Sequence, residues 1–119
     1  MEIIKLIFTL LFGIFMIGNG MYHFSKPDTY FPFIPNFLPK AAVNYLVAVV
    51  EIVVGISVFV PQIRQFGTLI ILIMMIGFFP IHLVDAFRQN PLIGTKQIAF
   101  QRLGLQFFFV LWAWYIHQN

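Results

Sequence analysis

Four apolar stretches, Ile3–Met21, Ala41–Val60, Phe66–Val84 and Ile98–Ile116, occupy most of the chain and decide what it can fold into. Each is close to the ~20 residues that a helix rising about 1.5 Å per residue needs to cross about 30 Å of hydrocarbon. Inside lipid a backbone N–H or C=O has no water to turn to, so a lone apolar segment of that length satisfies its backbone as a helix. Composition agrees: of 119 residues, 61% are hydrophobic and 9% charged, against roughly a quarter charged in a soluble domain. The sequence therefore predicts an all-α integral membrane protein, a four-helix transmembrane bundle forming one domain over residues 1–119.

The charge pattern excludes other classes. A net charge of +3 rests on seven scattered Lys and Arg with no run among them, so no nucleic-acid partner is implied. Basic residues beside apolar spans instead meet lipid headgroups and set topology. There is no cysteine, which removes disulfides, thiol nucleophiles, Cys-ligated metals and thiol–disulfide exchange. The amino terminus has Lys5 before an apolar run and Gly18-Asn19-Gly20 after it, but Glu2 weakens the basic region and no A-x-A-like site follows. The first stretch thus reads as a retained helix.

The connections differ in kind. Pro61–Gln65 is short and makes its flanking helices antiparallel neighbours. The segment from His23 to Lys40 interleaves Pro27, Pro32, Pro35 and Pro39 with Tyr30, Phe31, Phe33 and Phe37. Proline forbids a continuous helix there, and the aromatics suit either a lid across one end of the bundle or an anchor at headgroup level. Four spans put both termini on one side. Lys5 and Arg64 lie near that side and Lys26, Lys40, Arg88 and Lys96 near the other, which the positive-inside rule assigns to the cytoplasm.

Polar side chains within the spans crowd toward the loop side. Glu51 lies about 15 Å in from Ala41, near the midplane, and Arg102 and Gln106 lie about 6 and 12 Å into the fourth stretch. Asn19 and His23 close the first stretch, and His82 and Asp85 the third, at that same side. The opposite side ends in Trp112, Trp114, Tyr115 and His117, the composition of an interfacial belt. An ionisable group at the midplane is costly and usually faces the protein interior. Ala41, Asn44, Ala48, Glu51 and Gly55 follow three- and four-residue steps, as do Thr9, Gly13, Met16, Gly20 and His23, and Arg102, Gln106, Phe109 and Ala113. Such faces are expected to converge on one cavity holding Asn19, His23, Glu51, His82, Asp85, Arg102 and Gln106.

Several pairings follow from that expectation. A cation in the first turns of a helix gains little from the dipole, so Arg102 calls for Asp85 or Glu51 as partner rather than simple snorkelling to headgroups. His82 and Asp85, three apart, form either a tautomer-fixing pair or an ordinary helix end. Pro80 should kink the third helix and free a carbonyl beside the cavity. A haem or metal held by His23 and His82 lacks any H-x-x-x-H or E-x-x-H spacing, so no metal is assigned. Gly18-Asn19-Gly20 lacks the lysine and strand of a phosphate loop.

Taken in order, Asn19-Gly20-x-x-His23-Phe24, the Pro35–Pro39 loop, Glu51-Ile52 with Gly55, Phe79-Pro80-x-His82 and Arg102-Leu103-x-x-x-Gln106 leading to Trp112 resemble the DoxX-like family of small bacterial membrane proteins. The family more often has asparagine where this chain has His82. The resemblance implies a four-helix bundle in the bacterial cytoplasmic membrane, with some relatives linked to quinone-coupled oxidoreductases and to resistance to oxidative stress. It brings no settled catalytic mechanism. Three functions are therefore weighed: a redox-associated subunit binding quinone, a membrane isomerase or binding bundle for a lipid-like compound, and an assembly subunit whose polar cluster glues helices together. The partners these imply are the lipid bilayer, a redox or other membrane protein, or further copies of the chain.

Overall fold

The structure, a computed structural model, describes residues 2–118. Among them the regular elements are four α-helices, α1 (Ile3–Ser25), α2 (Lys40–Ser57), α3 (Arg64–Ala86) and α4 (Lys96–His117), with two short 3-10 turns, Pro27–Thr29 and Phe31–Phe33, between α1 and α2. Hydropathy located every helix, and local chemistry shifted the ends. α1 runs past Met21 until Pro27, which has no amide to donate, stops it. That extension keeps His23 helical. α2 ends at Ser57 rather than Val60, and the turn that follows is tied by Arg64 Nε donating to the Val58 carbonyl at 2.7 Å. Thr95 begins α4 two residues early, its hydroxyl accepting the Ile98 amide at 3.2 Å.

α1, α2 and α3 are long and apolar enough to cross a membrane. α4 has 22 residues but does not join them, because Lys96, Gln97, Gln101, Arg102 and Gln106 dilute its amino-terminal half. The helices associate chiefly as two pairs, α1 with α2 and α3 with α4. Phe12, Met16, Val54, Val58, Ile71, Met75, Phe109, Ala113 and Ile116, drawn from all four helices, form the core between the pairs. Lys5 Nζ donates to the Gln118 carbonyl at 2.9 Å and brings the start of α1 beside the end of α4.

Close approach of α1 to α2 depends on glycine. A Cβ on Gly13 would lie 2.8 Å from the Gly55 carbonyl, one on Gly20 2.7 Å from that of Ala48, and one on Gly55 2.6 Å from that of Gly13. The small-residue stripes seen in the sequence thus mark this contact.

Two expectations concern the helix interiors. α3 runs through Pro80 as one uninterrupted helix. Pro80 denies the Ile76 carbonyl its helical amide, and one residue away the Met75 carbonyl takes a donor from α4, Gln106 Nε2 at 2.8 Å. The aromatic end of α4 is also not a uniform belt. Trp112 packs inward on Phe12, with ring centroids 4.5 Å apart, and donates its indole N–H to the Phe8 carbonyl at 3.2 Å. His117 meets the buried Thr68 hydroxyl at 3.0 Å, and Trp114 alone of the four keeps a large exposed face.

Candidate functional site

At the loop end of the α1–α2 pair, five side chains form a continuous polar chain. Asn19 and His23, one helical turn apart on α1, face Asn44 and Glu51, two turns apart on α2, and Tyr30 covers them from the proline-rich loop. Glu51 is completely buried. Asn19 Nδ2 donates to Glu51 Oε2, and His23 Nε2 lies 2.8 Å from Glu51 Oε1. On its other edge His23 Nδ1 is 2.7 Å from Asn44 Oδ1, while Asn44 Nδ2 donates to the His23 carbonyl at 3.0 Å. Tyr30 donates its hydroxyl to Asn19 Oδ1 at 3.4 Å, and its ring stacks on His23 with centroids 3.5 Å apart.

These contacts fix a proton count. Since Asn44 gives its amide N–H to the His23 carbonyl, its oxygen faces Nδ1, which must therefore carry hydrogen. Glu51 Oε1 has no aligned hydrogen-bond donor among the described residues, and His23 Nε2 stands 2.8 Å from it. A bare carboxylate facing a bare imidazole nitrogen would set lone pair against lone pair, a repulsion that one further proton at this contact removes. Imidazolium with carboxylate and imidazole with carboxylic acid both give a pair of zero net charge, which answers the cost of an ionisable group at this depth.

Beside this chain lies a cavity of about 520 Å³, within the range of small-ligand sites. Its walls include Asn19, His23 and Asn44 from the α1–α2 pair, Phe78, Ile81 and His82 from α3, and Arg102 from α4. Its roof is the loop, with Tyr30, Phe33 and Ile34 among the lining residues. Lys40 pins that roof by donating to the carbonyls of Phe31 at 2.7 Å and Ile34 at 2.8 Å. The segment therefore sits as a lid, while Phe37, 84% exposed, is the part left to act as an anchor.

Burial pushes the Tyr30 hydroxyl up to about 12, with the Glu51 and Tyr22 charges adding to the rise and Arg102 opposing it. Because the folded value is raised, the stability linked to the neutral phenol is present below the unfolded value near 10 and is lost as pH rises toward 12. An alkaline ultraviolet titration should show a tyrosine step near pH 12, and Tyr30→Phe should remove it.

The structure brings together part of the expected constellation. Asn19, His23, His82 and Arg102 line the cavity, and Glu51 stands behind His23 and Asn19 rather than in the wall. Asp85 does not join them: its carboxylate accepts the amides of Leu92 at 2.6 Å and Ile93 at 3.3 Å and lies 3.5 Å from Arg88, so it orders the α3–α4 loop. It therefore neither orients His82 nor pairs with Arg102. Arg102 pairs with neither carboxylate; its Nη1 donates to Gln106 Oε1 at 3.1 Å and its guanidinium lies 5.5 Å from the Phe109 ring centre. Gln106 is buried below the cavity, bridging Arg102 to Met75. Sequence reasoning missed Asn44 and Tyr30 as members. Asn44 stood on the same stripe as Glu51, seven residues apart, and that spacing was the available signal; Tyr30 had none beyond its place among loop aromatics.

No cluster of three or more His, Asp or Glu side chains able to hold a metal occurs among the described residues. Residues 12–117, which include the whole polar chain and every wall of the cavity, match the family described as Domain of unknown function (DUF8561). The chain belongs to this family. No curated protein and no solved structure matches it. Membership thus spans the candidate site without assigning it a chemistry.

Proposed function

We propose that this member of the DUF8561 family is a DoxX-like four-helix integral membrane protein of the bacterial cytoplasmic membrane, with both termini on one side, that binds a small hydrophobic ligand under its loop. A quinone is the first candidate, in a redox-associated or accessory role. The observation that carries the reading is the cavity itself: aromatic and aliphatic walls with a few convergent polar groups, His23, His82, Asn19 and Arg102, is the make-up of a ligand site. Many large apolar side chains point outward from the helices, among them Ile7, Leu11 and Ile14 on α1 and Ile73 and Ile76 on α3, and they supply the lipid-facing surface such a protein requires.

A second reading, acid–base isomerisation of a lipid-like compound, draws on the proton shared by His23 and Glu51, because His23 presents that pair to the cavity. Here Glu51 acts through His23, since the carboxyl is sealed from the wall.

Mass spectrometry of the protein purified in mild detergent, with an absorbance spectrum, tests the proposal. A co-purifying quinone or other apolar ring compound is the expected result. Retention of a partner protein with no small molecule would favour the assembly role and overturn the ligand reading.

A further inference from the structure

Among the described residues the carboxylates are few, and none forms an ion pair with Arg102. Glu51 is enclosed by His23 and Asn19, Asp85 is held by two loop amides and Arg88, Asp28 is exposed at the cavity's loop wall, and Glu2 precedes α1 at the opposite end. The ion pairs formed are His23–Glu51 and Arg88–Asp85, so no carboxylate lies within 4.0 Å of the Arg102 guanidinium. Of its five N–H donors, the one engaged goes to a neutral amide, Gln106.

An arginine lining a largely apolar cavity keeps its charge, and a fixed cation there without a counter-ion is a demand for one. Its surroundings match that demand. Lys40 and Lys96 donate to backbone carbonyls and do not themselves line the cavity, so Arg102 is the lysine or arginine that faces the space among the described residues. The His23–Glu51 pair carries zero net charge by the proton count above and does not neutralise it, and Asp28 in the loop wall is exposed and makes no ion pair with it. His82 and Phe33 also line the cavity and pack on each other, with ring centroids 6.1 Å apart, so flat rings form part of the wall that Arg102 shares.

We propose that the cavity selects an anionic oxygen: its ligand is a flat apolar molecule bearing one ionised hydroxyl or carboxylate, seated with that oxygen on the Arg102 guanidinium. This rests on the reading of the cavity as a hydrophobic-ligand site and adds the charge of what it holds. A planar guanidinium suits either oxygen group, because its N–H donors can reach one or two acceptors at once.

The test uses matched probes on the whole protein in an uncharged detergent. Lawsone, whose hydroxyl is ionised at neutral pH, is compared with its methyl ether, and naphthoate with its methyl ester. The wild type should bind at least one anion about tenfold or more tightly than its uncharged partner. Arg102→Gln should erase that advantage by weakening the anions far more than the ether and ester, and Arg102→Lys should retain part of it. Preference for lawsone over naphthoate would assign an ionised ring hydroxyl, and the reverse a carboxylate; either supports the proposal. Equal binding of anion and neutral partner by the wild type, or equal loss of all probes in Arg102→Gln, would overturn it while leaving the ligand site intact. Binding of no probe would remove the ligand reading itself and this inference with it. Should Arg102→Gln fail to fold, the wild-type comparison and Arg102→Lys still decide.

Discussion

Glu51→Ala should be among the most damaging single substitutions in the chain, whereas Glu51→Gln should fold nearly as well as the wild type. Alanine strands the half-buried Asn19 Nδ2 and the buried His23 Nε2 at once, and leaves a void between α1 and α2. Each stranded group costs about 1–3 kcal/mol, so a loss of roughly 2–5 kcal/mol is expected. Glutamine keeps both contacts. Its amide N–H₂ can donate to Nε2, which accepts when Nδ1 carries the hydrogen, and its oxygen can accept from Asn19. What glutamine cannot supply is the proton between Oε1 and Nε2. Reversible unfolding in mixed micelles separates the roles: a pair that is only glue leaves Glu51→Gln unimpaired in every respect, whereas a working pair leaves it stable and inactive in whatever chemistry the cavity performs. If Glu51→Ala costs nothing measurable, the polar chain does not hold α1 and α2 together.

The second large effect is steric. Gly55→Val should cost about 3 kcal/mol or more, beyond the usual penalty for overpacking, because the obstruction is backbone. A Cβ at Gly55 would lie 2.6 Å from the Gly13 carbonyl and 3.0 Å from the Ile17 amide nitrogen, and neither can rotate away. α1 and α2 would have to part, and since Asn19, His23, Asn44 and Glu51 bridge the same pair, the proton-holding cluster would open as well. Gly18, Gly77 and Gly104 provide the control: nothing lies within 4 Å of a Cβ built at any of them, so alanine there should be neutral or slightly stabilising. Circular dichroism and thermal unfolding of Gly55→Val and Gly18→Ala measure the contrast. Equal behaviour of the two would show that α1 and α2 do not approach as closely as described.

Apolar length and helical spacing carried the helices and half of the site. A run of about 20 apolar residues has one way to satisfy its backbone in lipid, so existence and type of the elements followed from hydropathy. The Glu51 face was legible for a related reason: in a helix, residues three, four and seven apart share a side, and Ala41, Asn44, Ala48, Glu51 and Gly55 could only lie together. Partner choice was not legible. Whether Arg102 meets Glu51 or Gln106 depends on the rotation of α4 about its axis, which a stripe of Arg102, Gln106, Phe109 and Ala113 does not specify. Asp85 was misjudged because its competitors are backbone amides of Leu92 and Ile93, and backbone donors leave no mark in a sequence. Tyr30 reaches Asn19 and His23 only because Pro27 and Pro32 fold the loop back in two 3-10 turns, a conformation the prolines permit without dictating.

Occupation of the cavity by a ligand is tested by thermal unfolding with an added quinone, compared between the wild type and Val47→Trp. Val47 lines the cavity from α2, and an indole there would fill space the ligand needs without touching the His23–Glu51 pair. A ligand present at a hundredfold excess over its dissociation constant stabilises the folded state by about 2.7 kcal/mol. The wild type should rise by several degrees and Val47→Trp not at all. No rise in the wild type, or the same rise in both proteins, would contradict occupation of the cavity.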